Sequence, residues 1–146
     1  MTGDTDTILE LSCNLDDMCP EDIGFAMDVL LDAGALDVWT SPIGMKKNRP
    51  GVMLSLLCPP EEAERFAELL FRHTTTLGIR QTPHRRFLQR RTFFHAETPW
   101  GPVGVKCTDS TCKPEYEDLK AIAQRENLPI AQVRQAALES FKETQK

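Results

Sequence analysis

The sequence predicts an α+β fold: a ferredoxin-like β-α-β-β-α-β sandwich with an added β-hairpin and C-terminal helices. Three observations lead there. Apolar residues alternate with polar ones in short stretches near residues 8–15, 36–41, 52–58 and 79–88. Stretches of helical spacing separate the first from the second and the third from the fourth. Only a glycine-closed loop joins the second and third, so those two pair as a hairpin, and right-handed crossovers then put both helices on one face of an antiparallel sheet.

Residues 1–7 are small and polar, and a disordered tail is expected there. From Ile8 to Leu15, Leu9, Leu11, Cys13 and Leu15 alternate with Glu10, Ser12 and Asn14, a strand with one buried face. Pro20 suits a first helical turn, Glu21 and Asp22 favour a helix N-terminus, and Ile23, Met27, Leu30 and Leu31 recur at helical spacing until Gly34. Leu36, Val38 and Thr40 alternate with Asp37, Trp39 and Ser41 in a second strand that Pro42 ends. Val52–Cys58 is the third strand. Pro59-Pro60-Glu61-Glu62 opens a second helix with Ala63, Phe66, Ala67 and Leu70 on one side, ending near Gly78, and Ile79–Leu88 is the fourth strand.

Arg91–Thr98 and Val103–Thr108, parted by Pro99-Trp100-Gly101-Pro102, read as the extra hairpin that extends or covers the sheet. Helices over Pro114–Arg125 and Ile130–Phe141 close the chain. Residues 8–108 therefore form the ferredoxin-like domain with its hairpin, and 109–146 a helical extension.

Composition bounds the function. At 146 residues and 40% hydrophobic, the chain suffices for one ordinary core. With 17 Lys and Arg against 22 Asp and Glu, the net charge of -5 argues against nucleic acid and anionic membrane as partners. No apolar run approaches the roughly 20 residues that span a bilayer, and the start lacks a signal peptide, so the expected location is cytoplasmic. Five cysteines at irregular positions, with no Cys-x-x-Cys, argue against a disulfide framework or zinc knuckle and for reduced thiols.

Charge is unevenly distributed. Asp16 and Asp17 follow the first strand, while Met45-Lys46-Lys47-Asn48-Arg49-Pro50-Gly51 makes a basic, glycine-closed loop after the second. Acids that hold a divalent cation and a loop that holds phosphate oxygens are the pairing a metal-bound polyphosphate needs. At a strand-to-helix turn both carboxylates can converge on one hard cation; the plainer reading has Asp17 capping the helix and Asp16 solvated. The loop is equally readable as a soluble hairpin tip, and it is not a Walker motif.

Thr74-Thr75-Thr76-Leu77-Gly78-Ile79-Arg80 adds hydroxyls, a turn and an arginine. It is expected at the same end of the sheet as the start of the first strand, so its meeting with Asp16 within one subunit is not assured, and a neighbouring subunit could complete the site. Arg85, Arg86, Arg90 and Arg91 fit a solvated edge strand or an oligomer contact better than RNA, because Phe87, Phe93 and Phe94 lack the aromatic-glycine pattern of an RNA-recognition motif. His73, His84 and His95 read as ordinary histidines. Cys107 and Cys112, flanking a turn, could touch nickel but read first as packed or solvent-exposed thiols.

Asn14-Leu15-Asp16-Asp17-Met18, Ala33-Gly34-Ala35-Leu36-Asp37-Val38, the Met45–Gly51 loop, Thr74–Arg80 and Lys113-Pro114-Glu115-Tyr116-Glu117-Asp118 resemble, in this order, the C-terminal part of the LarC family, from about Glu10 to about Phe141. These are the nickel insertion proteins that complete the nickel-pincer nucleotide cofactor of lactate racemase. Family members are much longer, so the resemblance implies a C-terminal piece whose N-terminal half is the missing partner. It also implies part of a CTP-dependent nickel insertase, a cyclometallase of the lyase class. Such a protein activates a pyridinium bisthiocarboxylic mononucleotide by cytidylyl transfer and takes nickel as substrate.

The nucleotide is then CTP with Mg²⁺ or Mn²⁺, since oxygen ligands suit those ions better than nickel. Residue chemistry nominates Asp16 and Asp17 for the cation. Lys46, Lys47, Asn48, Arg49, Thr75, Thr76 and Arg80 are nominated for the nucleotide. A homo-oligomer is expected, and the rival class is a non-catalytic ferredoxin-like oligomerisation domain. Ser12-Cys13 departs from the acid or threonine expected before Asn14.

Overall fold

A computed structural model describes residues 4–144. The chain falls into two compact units, one over Thr5–Phe87 and one from Leu88 onward. In the first, β1 (Asp4–Leu15), α1 (Pro20–Asp32), β2 (Asp37–Met45), β3 (Arg49–Cys58), α2 (Ala63–His73) and β4 (Arg80–Leu88) follow the predicted order. The sheet order is β2-β3-β1-β4, with β3 antiparallel to both β1 and β2. This is the ferredoxin-like arrangement.

The alternation read in β1 is realised. Leu9, Leu11, Cys13 and Leu15 join Leu54, Leu56 and Cys58 of β3 in a core closed by Ile23 and Leu30 of α1 and Phe66 and Leu70 of α2. The other face of β1 carries polar groups, which pair with one another. Ser12 Oγ donates to Glu10 at 2.7 Å and lies 2.9 Å from Ser55 Oγ. His84 Nε2 sits 3.1 Å from the second Glu10 oxygen. Both serines are buried, so each hydroxyl needs these partners.

Several boundaries differ from the sequence reading: β3 starts at Arg49 and not at Val52, and α2 ends at His73, short of Gly78. The tail expected over 1–7 lies outside the described residues for 1–3, whereas residues 4–7 belong to β1. Asp6 there accepts from Arg86 Nε at 3.0 Å and Nη2 at 2.6 Å, a two-pronged pair that ties the strand start to β4. β2 also runs through Pro42 to Met45 instead of stopping at the proline. It is the outermost strand, and an edge strand tolerates a missing N–H on its free side.

The second unit holds β5 (Thr92–Thr98), β6 (Gly101–Cys107) and β7 (Cys112–Pro114) in that sheet order, followed by α3 (Tyr116–Glu126) and α4 (Ile130–Thr144). Ala96, Val103 and Val105 pack with Leu119, Ile122, Val133, Ala137 and Phe141 in a core of their own. The hairpin assigned to 8–108 and the helices assigned to 109–146 thus share one interior, and the division falls after Phe87. The short β7 supplies the reason: it adds a third strand beside β6, and the apolar side of that sheet needs both helices to cover it.

The thiols also differ from expectation. Cys107 and Cys112 face each other across the β6–β7 register and form a disulfide, while Cys13, Cys19 and Cys58 are free.

Candidate functional site

The candidate residues collect where β1 ends. β3 extends three residues beyond its last β1 partner, since Val52 pairs with Leu15 and the strand begins at Arg49. The β2–β3 hairpin therefore overhangs the end of β1. Gly51 permits this: a Cβ there would stand 2.9 Å from the Leu15 carbonyl oxygen and 2.6 Å from Met45 Sδ. From the overhang, Arg49 Nη1 turns back to Asp16 Oδ2 at 3.1 Å.

The tip itself is a 3-10 turn over Lys46–Asn48, with Lys47 at φ 61° and Asn48 at φ 58°. Asparagine tolerates this left-handed backbone; lysine is strained in it, by about 1 kcal/mol. All three side chains are exposed at the tip.

On the other flank, α2 ends at His73 and the loop to β4 arrives at the same place. The Thr75 hydroxyl donates to Asp17 Oδ1, and the Thr75 amide points at Met18 Sδ, 3.4 Å away. Arg80 Nη2 donates to Asn14 Oδ1 at 2.8 Å. This corrects the sequence-derived geometry, which placed the Thr74–Arg80 turn beside the start of β1. Contacts of Asp6 with Arg86, Glu10 with His84 and Asn14 with Arg80 run in opposite order along β1 and β4. β4 thus begins where β1 ends, and no second subunit is needed to bring Thr75 and Arg80 there.

Thr76 is placed differently. Its hydroxyl donates to the Gly78 carbonyl at 2.9 Å, closing its own loop. Thr76 and Thr74 also act on the buried Cys13 thiol. Burial pushes that thiol above its ordinary range, and the two hydroxyls and the Arg80 charge offset part of the rise.

The adjacent acids open onto separate clefts. Asp16 lines one of about 350 Å³ walled mainly by Leu15, Met18, Ile23, Met27 and Val52. Asp17 lines one of about 320 Å³ with Cys19, Asp22, His73 and Thr75. Asp17 does not cap α1, because Cys19 occupies that position and no side chain caps the helix. Among the described residues, no group of three or more His, Cys, Asp or Glu is placed to hold a metal ion. The donor set still fits a hard cation carried on phosphates, which takes one or two carboxylates and fills its remaining positions with phosphate and water oxygens.

The family model described as nickel insertion protein matches residues 1–134. The chain belongs to the nickel insertion family. It is 38% identical to a putative nickel insertion protein of Gloeothece citriformis, over 96% of this chain and 37% of that one. It is 41% identical to a pyridinium-3,5-bisthiocarboxylic acid mononucleotide nickel insertion protein of Acetivibrio thermocellus, over 88% of this chain and 32% of that one. It thus spans about a third of the length of the curated nickel insertion proteins it matches.

A solved structure of LarC2, the C-terminal domain of a cyclometallase involved in the synthesis of the NPN cofactor of lactate racemase, superposes with a TM-score of 0.83 at 37% identity. The alignment covers 95% of this chain and 99% of that domain. This member of the nickel insertion family therefore shares the LarC C-terminal fold.

Proposed function

We propose that this chain is the part of a nickel insertion protein that holds CTP with Mg²⁺ or Mn²⁺ while nickel is placed in a pyridinium bisthiocarboxylic mononucleotide. Nickel is substrate in this reading. Family membership and the substrate in the name of the Acetivibrio relative support the nickel chemistry. One observation carries the nucleotide: at the end of β1 a carboxylate and a guanidinium, Asp16 and Arg49, stand 3.1 Å apart with further donors beside them. Opposite charges held side by side at a strand end suit a ligand that is itself a cation bound to an anion.

Asp16, beside Arg49, is the carboxylate for the cation, which would neutralise charge across the phosphates when bound; Asp17, which opens onto the neighbouring cleft, joins it only by leaving Thr75. Arg49 and Arg80 would offer N–H donors to the phosphate oxygens, and Lys46 and Lys47 would add positive charge from the hairpin tip. Asn48 and Thr75 supply neutral donors; Thr76 joins them only by releasing Gly78. The rest of such a protein, including its N-terminal half, completes the lyase reaction, and we place the assembly, as a homo-oligomer, in the cytoplasm.

The deciding experiment is a calorimetric CTP titration with and without Mn²⁺, repeated with Asp17→Ala and Lys47→Ala. The expected result is metal-dependent binding that weakens by about ten-fold in each variant, the value of one lost charge-assisted contact. Silence from the wild-type chain, together with a stable oligomer, identifies a non-catalytic assembly module instead.

A further inference from the structure

We propose that the Asp16–Arg49 ion pair is a latch that makes cation and polyphosphate binding mutually dependent. The inference rests on the nucleotide-binding reading above and adds how the site is controlled. Among the described residues, Asp16 is ion-paired with Arg49 alone, through Nη1 and Oδ2 at 3.1 Å. The group offered to the metal and a group offered to the phosphates therefore occupy each other while the site is empty of both.

The consequence follows from mass balance. A divalent cation that takes Asp16 by itself must displace the guanidinium and leave it beside the incoming charge. A polyphosphate that takes Arg49 by itself must strip the carboxylate of its partner and sit near it. When both arrive together the pair is broken once, and each freed group meets an opposite charge. Each ligand thus raises the affinity for the other by an equal factor.

The size of the effect is modest but measurable. The Asp16 side chain is 20% exposed and that of Arg49 56%, so the pair is only partly screened. Partly exposed charged pairs of this kind shift an equilibrium by roughly 1.5- to five-fold, less at high salt. Elsewhere at the site, the Asp17–Thr75 and Asn14–Arg80 contacts are hydrogen bonds to neutral partners. Neither places two opposite charges in competition with a ligand.

The test reads Mn²⁺ binding alone by the electron paramagnetic resonance of the free ion, and inorganic triphosphate binding alone by calorimetry. Arg49→Ala is expected to tighten Mn²⁺ alone by about 1.5- to five-fold while weakening Mn–CTP. Asp16→Asn is expected to tighten metal-free triphosphate by a similar factor. Lys46→Ala removes a positive charge from the same hairpin without touching the pair, and should move Mn²⁺ affinity less than Arg49→Ala.

No gain in Mn²⁺ affinity for Arg49→Ala, or an equal gain for Lys46→Ala, overturns the latch while leaving the nucleotide reading in place. Absence of any CTP binding to the wild-type chain removes that reading and the latch with it. Circular dichroism of each variant confirms that affinity, not folding, has changed.

Discussion

Arg80 Nη2 donates to Asn14 Oδ1 across 2.8 Å, joining the first residue of β4 to the last turn-facing residues of β1. The bond is exposed, so it contributes little to stability, but it ties a long flexible side chain to the strand that leads into Asp16 and Asp17. Asn14→Ala is expected to cost no more than about 1 kcal/mol in urea denaturation. Mn–CTP binding should weaken by about three- to ten-fold because Arg80 must be ordered on binding. Unchanged affinity would mean that Arg80 plays no part in holding the anion.

Gly51 lets β3 approach the end of β1. In Gly51→Ala, the new methyl meets the Leu15 carbonyl oxygen at 2.9 Å, and that backbone atom cannot rotate away as the Met45 side chain can. The expected loss is about 1–2 kcal/mol, from overpacking rather than lost contact. Lifting the overhang should also separate Arg49 from Asp16. Thermal denaturation reads the first effect and Mn–CTP calorimetry the second; a variant as stable as wild type with intact affinity would show that the hairpin has room.

The Arg86 guanidinium hydrogen-bonds Asp6 and holds its carboxyl below the usual carboxylate range. A depressed folded value means the pair's stabilisation is present above the unfolded carboxylate pKa, near 3.9, and is lost as pH falls through the folded value. Asp6→Asn should therefore unfold earlier than wild type at neutral pH. The two melting curves should converge as pH falls below that depressed value. Parallel curves across the whole range would rule out a role for this pair in anchoring the start of β1.

Thiol accessibility gives an independent check on both units. Cys13 and Cys58 are buried, and burial pushes both thiols up, whereas Cys19 is exposed at the start of α1. Only the thiolate alkylates. Native protein treated with iodoacetamide at pH 8 should be labelled at Cys19 alone, and denatured unreduced protein at Cys13, Cys19 and Cys58. Labelling of Cys107 and Cys112 should require reduction, which would lower the stability of the second unit by about 2 kcal/mol for so short a loop. Mass spectrometry of the labelled peptides decides each point.

The fold of the first unit was legible in the sequence because period-two alternation in β1, helical spacing after Pro20 and the Met45–Gly51 loop each reflect a local requirement. The candidate groups were legible as residue types for the same reason: paired acids and a basic loop differ from their surroundings. The disulfide was not. Pairing of Cys107 with Cys112 depends on β7, whose Cys112-Lys113-Pro114 is too short to show a period.

By itself, then, the chain determined the element order of the first unit, the buried face of β1 and which residue types to nominate for a site. Tertiary structure decided that β4 begins beside Asn14, that the two acids open onto different clefts, and that the hairpin after residue 91 shares its core with α3 and α4. These are consequences of strand direction and register. Such properties arise from contacts between residues far apart in sequence, where a reversed strand carries an end-of-sheet arginine to the opposite pole without altering any local pattern.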